Sequence, residues 1–305
     1  NMQSILAPPL LPPKIKNSYK EIKLQSNTSY YKVYDAISLA DHEKCTIFAL
    51  DIKSPIVEKD YDAAATLFVQ EIFRMCSRTG NNEFINTQSF EIHDSSIAVA
   101  MKHCHPMTAF EKVQRVNPRI DLEKMMYDVI SDISYTHSKL KIELPSIDSS
   151  KIYYASSSNN FFLVDWMCGN SSTGKNSEER RQDFIYHLGL TILEHTGVDP
   201  QEWEELPKLN DNQSYESSLE DMLDGVSIPV SVHKLVTRML LRDVNSRITI
   251  EEILAPYTTS SNKELESLDI SKRQRSVQRL VLFNLSEDSK EKVTVRLSGL
   301  WLDTC

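Results

Sequence analysis

Residues 182–197, QDFIYHLGLTILEHTG, constrain this chain more than any other stretch. Phe184, Ile185, Leu188, Leu190, Ile192 and Leu193 project nearly all round a helical wheel. A helix that is apolar on every side belongs inside a large core, not on a surface. The run is too short and too interrupted to cross a bilayer. Gly197 is placed to close it in the left-handed conformation, and Pro200 stops any continuation. A helix of this length runs about 24 Å, enough to thread a helical lobe.

Such a core needs chain around it, and 305 residues suffice for two lobes. The net charge is -9, from 34 Lys+Arg against 43 Asp+Glu, which argues against a general nucleic-acid or anionic-membrane binder. The five cysteines, Cys45, Cys76, Cys104, Cys168 and Cys305, are odd in number and widely spread. With no CxxC pair, neither a zinc ribbon nor a disulfide framework is readable. No signal-peptide pattern opens the chain and no apolar run has membrane-spanning length, so the expected home is intracellular, cytoplasmic or nuclear. Glycine is scarce: there are seven, and the first is Gly80. No glycine loop before that point can cradle a phosphate.

In chain order, residues 1–18 carry Pro8, Pro9, Pro12 and Pro13 and read as a solvated polyproline tail with nothing to pack a core. YKEIKL, YYKVYDAI and CTIFALDI are strand-like, with a turn at Asp41 to Lys44. Residues 60–76 form an amphipathic helix whose face holds Tyr61, Ala64, Leu67, Phe68, Ile72 and Met75. Strand patterns return at 84–91 and 95–101, and Lys102 to Pro106 break them as a hinge loop. His103, Cys104 and His105 suggest a metal less than a hinge, because adjacent residues do not easily converge on one ion. Residues 121–138 form a helix with Leu122, Met125, Met126, Val129, Ile130 and Ile133 on its core face and Asp121 as cap. Two strands, KIYY and FFLVDW, flank a polar turn at 156–160. Residues 207–227 read as a polar loop, Val232 to Leu240 as a helix, and Thr249 with Glu252 as the capping box of a last short helix.

Taken in order, several segments resemble a protein kinase domain over residues 19–258. FALDI resembles its third strand, and FVQEIFRM its small-lobe helix, with Glu71 at the helix glutamate. SIAVAMKHC resembles the fifth strand and hinge, with Met101 as gatekeeper. SYTHS is similar to the end of the first large-lobe helix, and FFLVDWMCG to the strand entering the metal-binding motif. QDFIYHLGLTILEHTG resembles the buried large-lobe helix, with Asp183 at its aspartate, and Arg247 falls at the linking arginine of the last segment. The resemblance implies an α+β, bilobal, kinase-like fold. It divides the chain into a proline-rich tail (1–18), a β-rich small lobe (19–105), a helical large lobe (106–258) and a strand-forming C-terminal extension (259–305).

The departures from the family fall on the chemistry. Phosphoryl transfer needs cations around the γ-phosphate, a metal clamp and a group to accept the substrate hydroxyl proton. Gln25 to Tyr30 stand in place of the glycine loop, and Asp51 in place of the third-strand lysine. Pro145 falls on the base aspartate and Ser150 on the metal-binding asparagine. Asp165 survives at the metal motif, but Trp166 follows it. Asp51, Glu71 and Asp165 would then converge with no obvious cation. Like charges about 4 Å apart repel by roughly 4 kcal/mol at an effective dielectric near 20. On this reading Asp51→Lys raises stability or leaves it unchanged.

The resemblance therefore implies a pseudokinase: a protein-interaction scaffold or allosteric regulatory subunit, not an enzyme. It implies weak or absent ATP binding, no cofactor, no metal, and protein partners rather than membrane or nucleic acid. Two alternatives stay open. One is an atypical active kinase using Lys53, two residues along the same strand face, and Asp148 as base; the other is a purely structural subunit of a larger complex. In the extension, SVQRLVLFNL and KVTVRLSGLWL alternate like strands. A lone hairpin is marginal in water, so Leu280, Leu282, Val293, Val295 and Trp301 are the candidates for contact with a partner.

Overall fold

Alternating apolar residues between Tyr19 and Leu50 build three consecutive antiparallel strands: β1 (Tyr19–Asn27), β2 (Tyr31–Ser38) and β3 (Lys44–Leu50). The computed structural model describes residues 10–78, 90–108, 121–140, 147–165 and 177–255. Two further strands, β4 (Phe90–His93) and β5 (Ser96–Lys102), complete a five-stranded sheet in the order β1-β2-β3-β5-β4. The molecule is mixed α/β and divides into two compact units. The first holds the described residues up to Cys104 and the turn 155–158; the second holds those from His105 to Tyr154 and from Asn159 onward.

In the first unit, the short helix α2 (Pro55–Lys59) leads into α3 (Tyr61–Arg78). Asp60 begins α3 by accepting the Ala63 N–H at 3.0 Å. Ala64, Phe68, Ile72 and Met75 are buried along one face of α3, as their spacing predicts. On the sheet, Val33 lies opposite Phe48 and Tyr31 opposite Leu50, so these four share one face. Tyr31 and Phe48 meet Phe68 of α3 there through ring contacts.

The other face is covered from an unexpected direction. The proline-rich stretch is not wholly a solvated tail: Pro13–Ser18 form a helix, α1, with Pro13 in its first turn. Ile15 is fully buried and Leu11 nearly so, in a cluster with Tyr34, Ala36, Ile47, Ala49, Ala98 and Ala100. The Ile15 N–H donates to Glu91 Oε2 at 2.8 Å. Small side chains on this sheet face leave room for a helix to lie against it, which is why two apolar residues suffice to anchor the segment.

Strands β6 (Cys104–Pro106), β7 (Ile152–Ala155) and β8 (Asn160–Leu163), whose residues fall mostly in the second unit, form a three-stranded sheet. The expected hinge loop is thus partly strand. Helix α4 (Leu122–Leu140) buries the predicted apolar face and packs against β8. Asp128 and Asp132, one turn apart on α4, accept the N–H groups of Phe161 and Leu163 at 3.0 and 2.9 Å.

The apolar stretch with which the sequence is most emphatic is helix α5 (Ser177–Leu193), five residues earlier at its start than the pattern indicates. Phe184, Ile185, Leu188, Ile192 and Leu193 are buried, but His187 is exposed and Tyr186 and Leu190 are only half-buried, so the helix keeps one solvated side and is not enclosed all round as its composition suggests. Gly197 follows with φ +92°, the left-handed position its type allows. After α6 (Pro200–Glu205), the supposed loop 207–227 contains a full helix, α7 (Asn212–Asp224). Tyr215, Leu219, Met222 and Leu223 are buried on it at helical spacing, a stripe hidden among polar neighbours. Helix α8 (Val230–Met239) packs against α5, and α9 (Ile250–Leu254) begins with the predicted Thr249–Glu252 capping box. At the α5–α8 crossing, a Cβ on Gly189 would lie 2.9 Å from Met239 Cβ and Leu240 Cδ2, so only glycine permits the approach. Among the described residues, no helix is long and apolar enough to cross a membrane.

Candidate functional site

The degenerate positions that the kinase resemblance singles out begin at the end of β3. The strand ends at Leu50, and Asp51 begins the turn that leads to α2. Its N–H donates to the Tyr30 carbonyl at 3.0 Å, and its Oδ1 accepts the Lys53 N–H at 3.2 Å. Asp51 Oδ2 lies 3.1 Å from Lys32 Nζ. Lys32 stands opposite Ala49, on the sheet face turned away from the Tyr31, Phe48 and Leu50 side. The expectation that Asp51 lacks a cation is therefore corrected: strand alternation sends it to Lys32 instead of to Glu71. Lys53 also departs from expectation. It is not on the strand but in the following turn, with its side chain exposed.

Glu71 is fully buried. Its Oε1 accepts the Tyr31 hydroxyl at 2.7 Å, and its Oε2 accepts the Tyr30 hydroxyl. Tyr30 and Tyr31 pack edge to face at 5.0 Å between ring centres, and both touch Phe68. Sequence reasoning located the carboxylate and missed its partners. The paired tyrosines Tyr30 and Tyr31, which lead into β2, were the available signal, since a buried phenol needs an acceptor.

At the other end of the same strands, Thr46 is fully buried opposite Met101. Its Oγ1 is 2.9 Å from the Cys104 carbonyl and 3.0 Å from the Cys104 nitrogen, so one hydroxyl serves both backbone groups. Gln25 Nε2 donates to the same carbonyl at 3.0 Å and to Asp35 Oδ1 at 2.8 Å. His103 Nδ1 lies 3.7 Å from that carboxylate. Burial lowers the His103 pKa, and Asp35 works against that shift. The segment just after Met101 is thus tied to β2 and β3 by the chain's own polar side chains. Burial also pushes the Cys45 and Cys104 thiols up to about 12, which removes them as nucleophiles near neutrality.

In the second unit, Asp148 caps the 3₁₀ turn Ser149–Lys151. Its Oδ1 accepts the Ser150 N–H at 2.8 Å and also the Ser150 hydroxyl. Both Asp148 and Ser150 are exposed. Asp165 has a left-handed backbone, φ 54°. Buried Ser149 donates to the Glu194 carboxylate, with its Oγ 3.2 Å from His195 Nε2. In a nucleophilic triad the carboxylate orients the histidine. Here the carboxylate takes the serine proton bond itself and the serine is buried, so the trio tethers the 3₁₀ turn to the end of α5. Burial drives His195 down to about 4, which keeps it neutral at pH 7.

Arg247 links the last segment to α5. Its Nη1 donates to the Gln182 carbonyl at 2.9 Å, and Nε and Nη2 donate to Leu241 at 2.9 and 2.7 Å. Its guanidinium lies 5.1 Å from the Tyr186 ring centre. No protein-family model and no curated protein matches this chain. Among the described residues, no group of three or more His, Cys, Asp or Glu side chains is arranged to hold a metal. Pro145, Trp166 and the extension residues Leu280, Leu282, Val293, Val295 and Trp301 lie outside the described residues.

Proposed function

We propose that the chain is a kinase-like scaffold or regulatory subunit that does not transfer phosphoryl groups. The observation that carries this reading is the pairing of Glu71. The carboxylate at the family's helix-glutamate position accepts a hydrogen bond from a tyrosine hydroxyl on each of its oxygens. The adjoining positions of β3 on that sheet face are Phe48 and Leu50, which offer a phosphate no charge. Two further features support it: a small five-stranded sheet with its helix between β3 and β4, and Arg247 anchored on the carbonyl beside Asp183. The reading that would use Lys53 and Asp148 is less supported, since Lys53 sits past the strand and the Asp148 carboxylate is occupied by its own turn.

The test is nucleotide binding with Mg²⁺ and with Mn²⁺. Ligand at 100 times its dissociation constant stabilises a protein by about 2.7 kcal/mol, a shift of several degrees. Millimolar ATP with either ion is expected to leave the melting temperature unchanged and to yield no phosphorylated product. A clear upward shift, or transfer of the γ-phosphoryl group, overturns the proposal.

A further inference from the structure

Tyr30, Tyr31, Phe48, Phe68 and Glu71 form one buried cluster within the first unit. We infer that Tyr30 and Tyr31, with Glu71, make a ligand-independent latch that holds α3 on the five-stranded sheet. The inference rests on the geometry of this unit alone and stands whether or not the kinase-like reading holds.

The chemistry of the donors comes first. A lysine ammonium has three N–H donors and a full charge, so it can bond a carboxylate and a ligand anion together. A phenol has one O–H and no charge. Both tyrosine O–H groups here are spent on Glu71, one on each oxygen, with Tyr31 at 2.7 Å. Neither is left to hand to a ligand, and the paired donors set the orientation of the carboxylate.

The packing comes second. Phe68 lies one turn before Glu71 on α3, with its ring 5.4 Å from Tyr31 and 6.3 Å from Tyr30. Tyr31 also meets Phe48 of β3 at 6.1 Å. The helix is gripped at two levels one turn apart, by an apolar contact and by a polar one. In so dry a place hydrogen bonds reinforce one another, and removing one phenol withdraws a donor from a buried carboxylate oxygen. The cluster therefore opens as a unit.

Hydrogen exchange on the full chain without ligand tests this. In the unaltered protein, the α3 amides from Phe68 to Met75 are expected to exchange together with those of β2 and β3, in one cooperative opening. Tyr31→Phe and Glu71→Gln should each speed α3 exchange about tenfold or more. The double variant should add little beyond the stronger single change, because both remove the same latch. Tyr61→Phe is the control: it deletes another tyrosine bond from α3, to the Ser95 carbonyl at 3.0 Å, and should leave residues 68–75 unaffected. The latch is overturned if α3 of the unaltered protein exchanges far faster than β2 and β3, a result that needs no variant to fold. It is equally overturned if the effects of Tyr31→Phe and Glu71→Gln multiply, or if Tyr61→Phe matches them.

Discussion

The Lys32–Asp51 pair keeps 34% and 21% of its side-chain surface exposed, which bounds what it contributes. Partly exposed pairs are worth about 0–1 kcal/mol. Asp51→Lys sets a second ammonium beside Lys32, so it is expected to lower stability by up to about 1 kcal/mol in urea unfolding. That sign is opposite to the one inferred when Asp51 was matched to a lysine site without a partner. His195 makes a separate prediction. Its folded pKa, about 4, lies below the ordinary value of 6.5, so the unfolded chain binds the proton first as pH falls. The corresponding stability is complete above pH 6.5 and is lost between 6.5 and 4, by on the order of 3 kcal/mol. Unfolding measured across this window should show the loss, and His195→Gln should flatten it.

Helices α5 and α1 carry the energetic predictions for the elements. Leu188 and Ile192 are 2% and 1% exposed, so Leu188→Ala or Ile192→Ala should cost about 2–5 kcal/mol. Gly189→Ala should cost about 1–3 kcal/mol, because its Cβ meets Met239 and Leu240 at 2.9 Å in a packed crossing. Ile15→Ala should cost as much as a core truncation if α1 is part of the sheet's cover, and nothing measurable if the segment is a solvated tail. Denaturant midpoints for these variants separate the outcomes. Elements with a clean local period, such as α3, α4 and the capped α9, were legible in the residues. Helix α7 was not, because Tyr215, Leu219, Met222 and Leu223 are spread through polar neighbours that lower the average without breaking the stripe. Helix α1 was not, because prolines at its start pointed to an extended tail while Ile15 alone faces the core.

For the molecule as a whole, the scaffold reading predicts that a protein partner co-purifies with the full chain and that deleting residues 262–305 removes it while the melting temperature holds. Retention of the partner by the truncated chain would take the extension out of that role. The residues alone indicated that α5 is a core helix and that strands precede a long amphipathic helix. These follow from periodicity and residue type, which act over a few positions. Only the tertiary structure decided what Glu71 and Asp51 touch. Their partners, Tyr30 and Tyr31 for one and Lys32 for the other, lie tens of residues away along the chain. Strand register then chooses between the two sheet faces, and a shift of one residue reverses that choice.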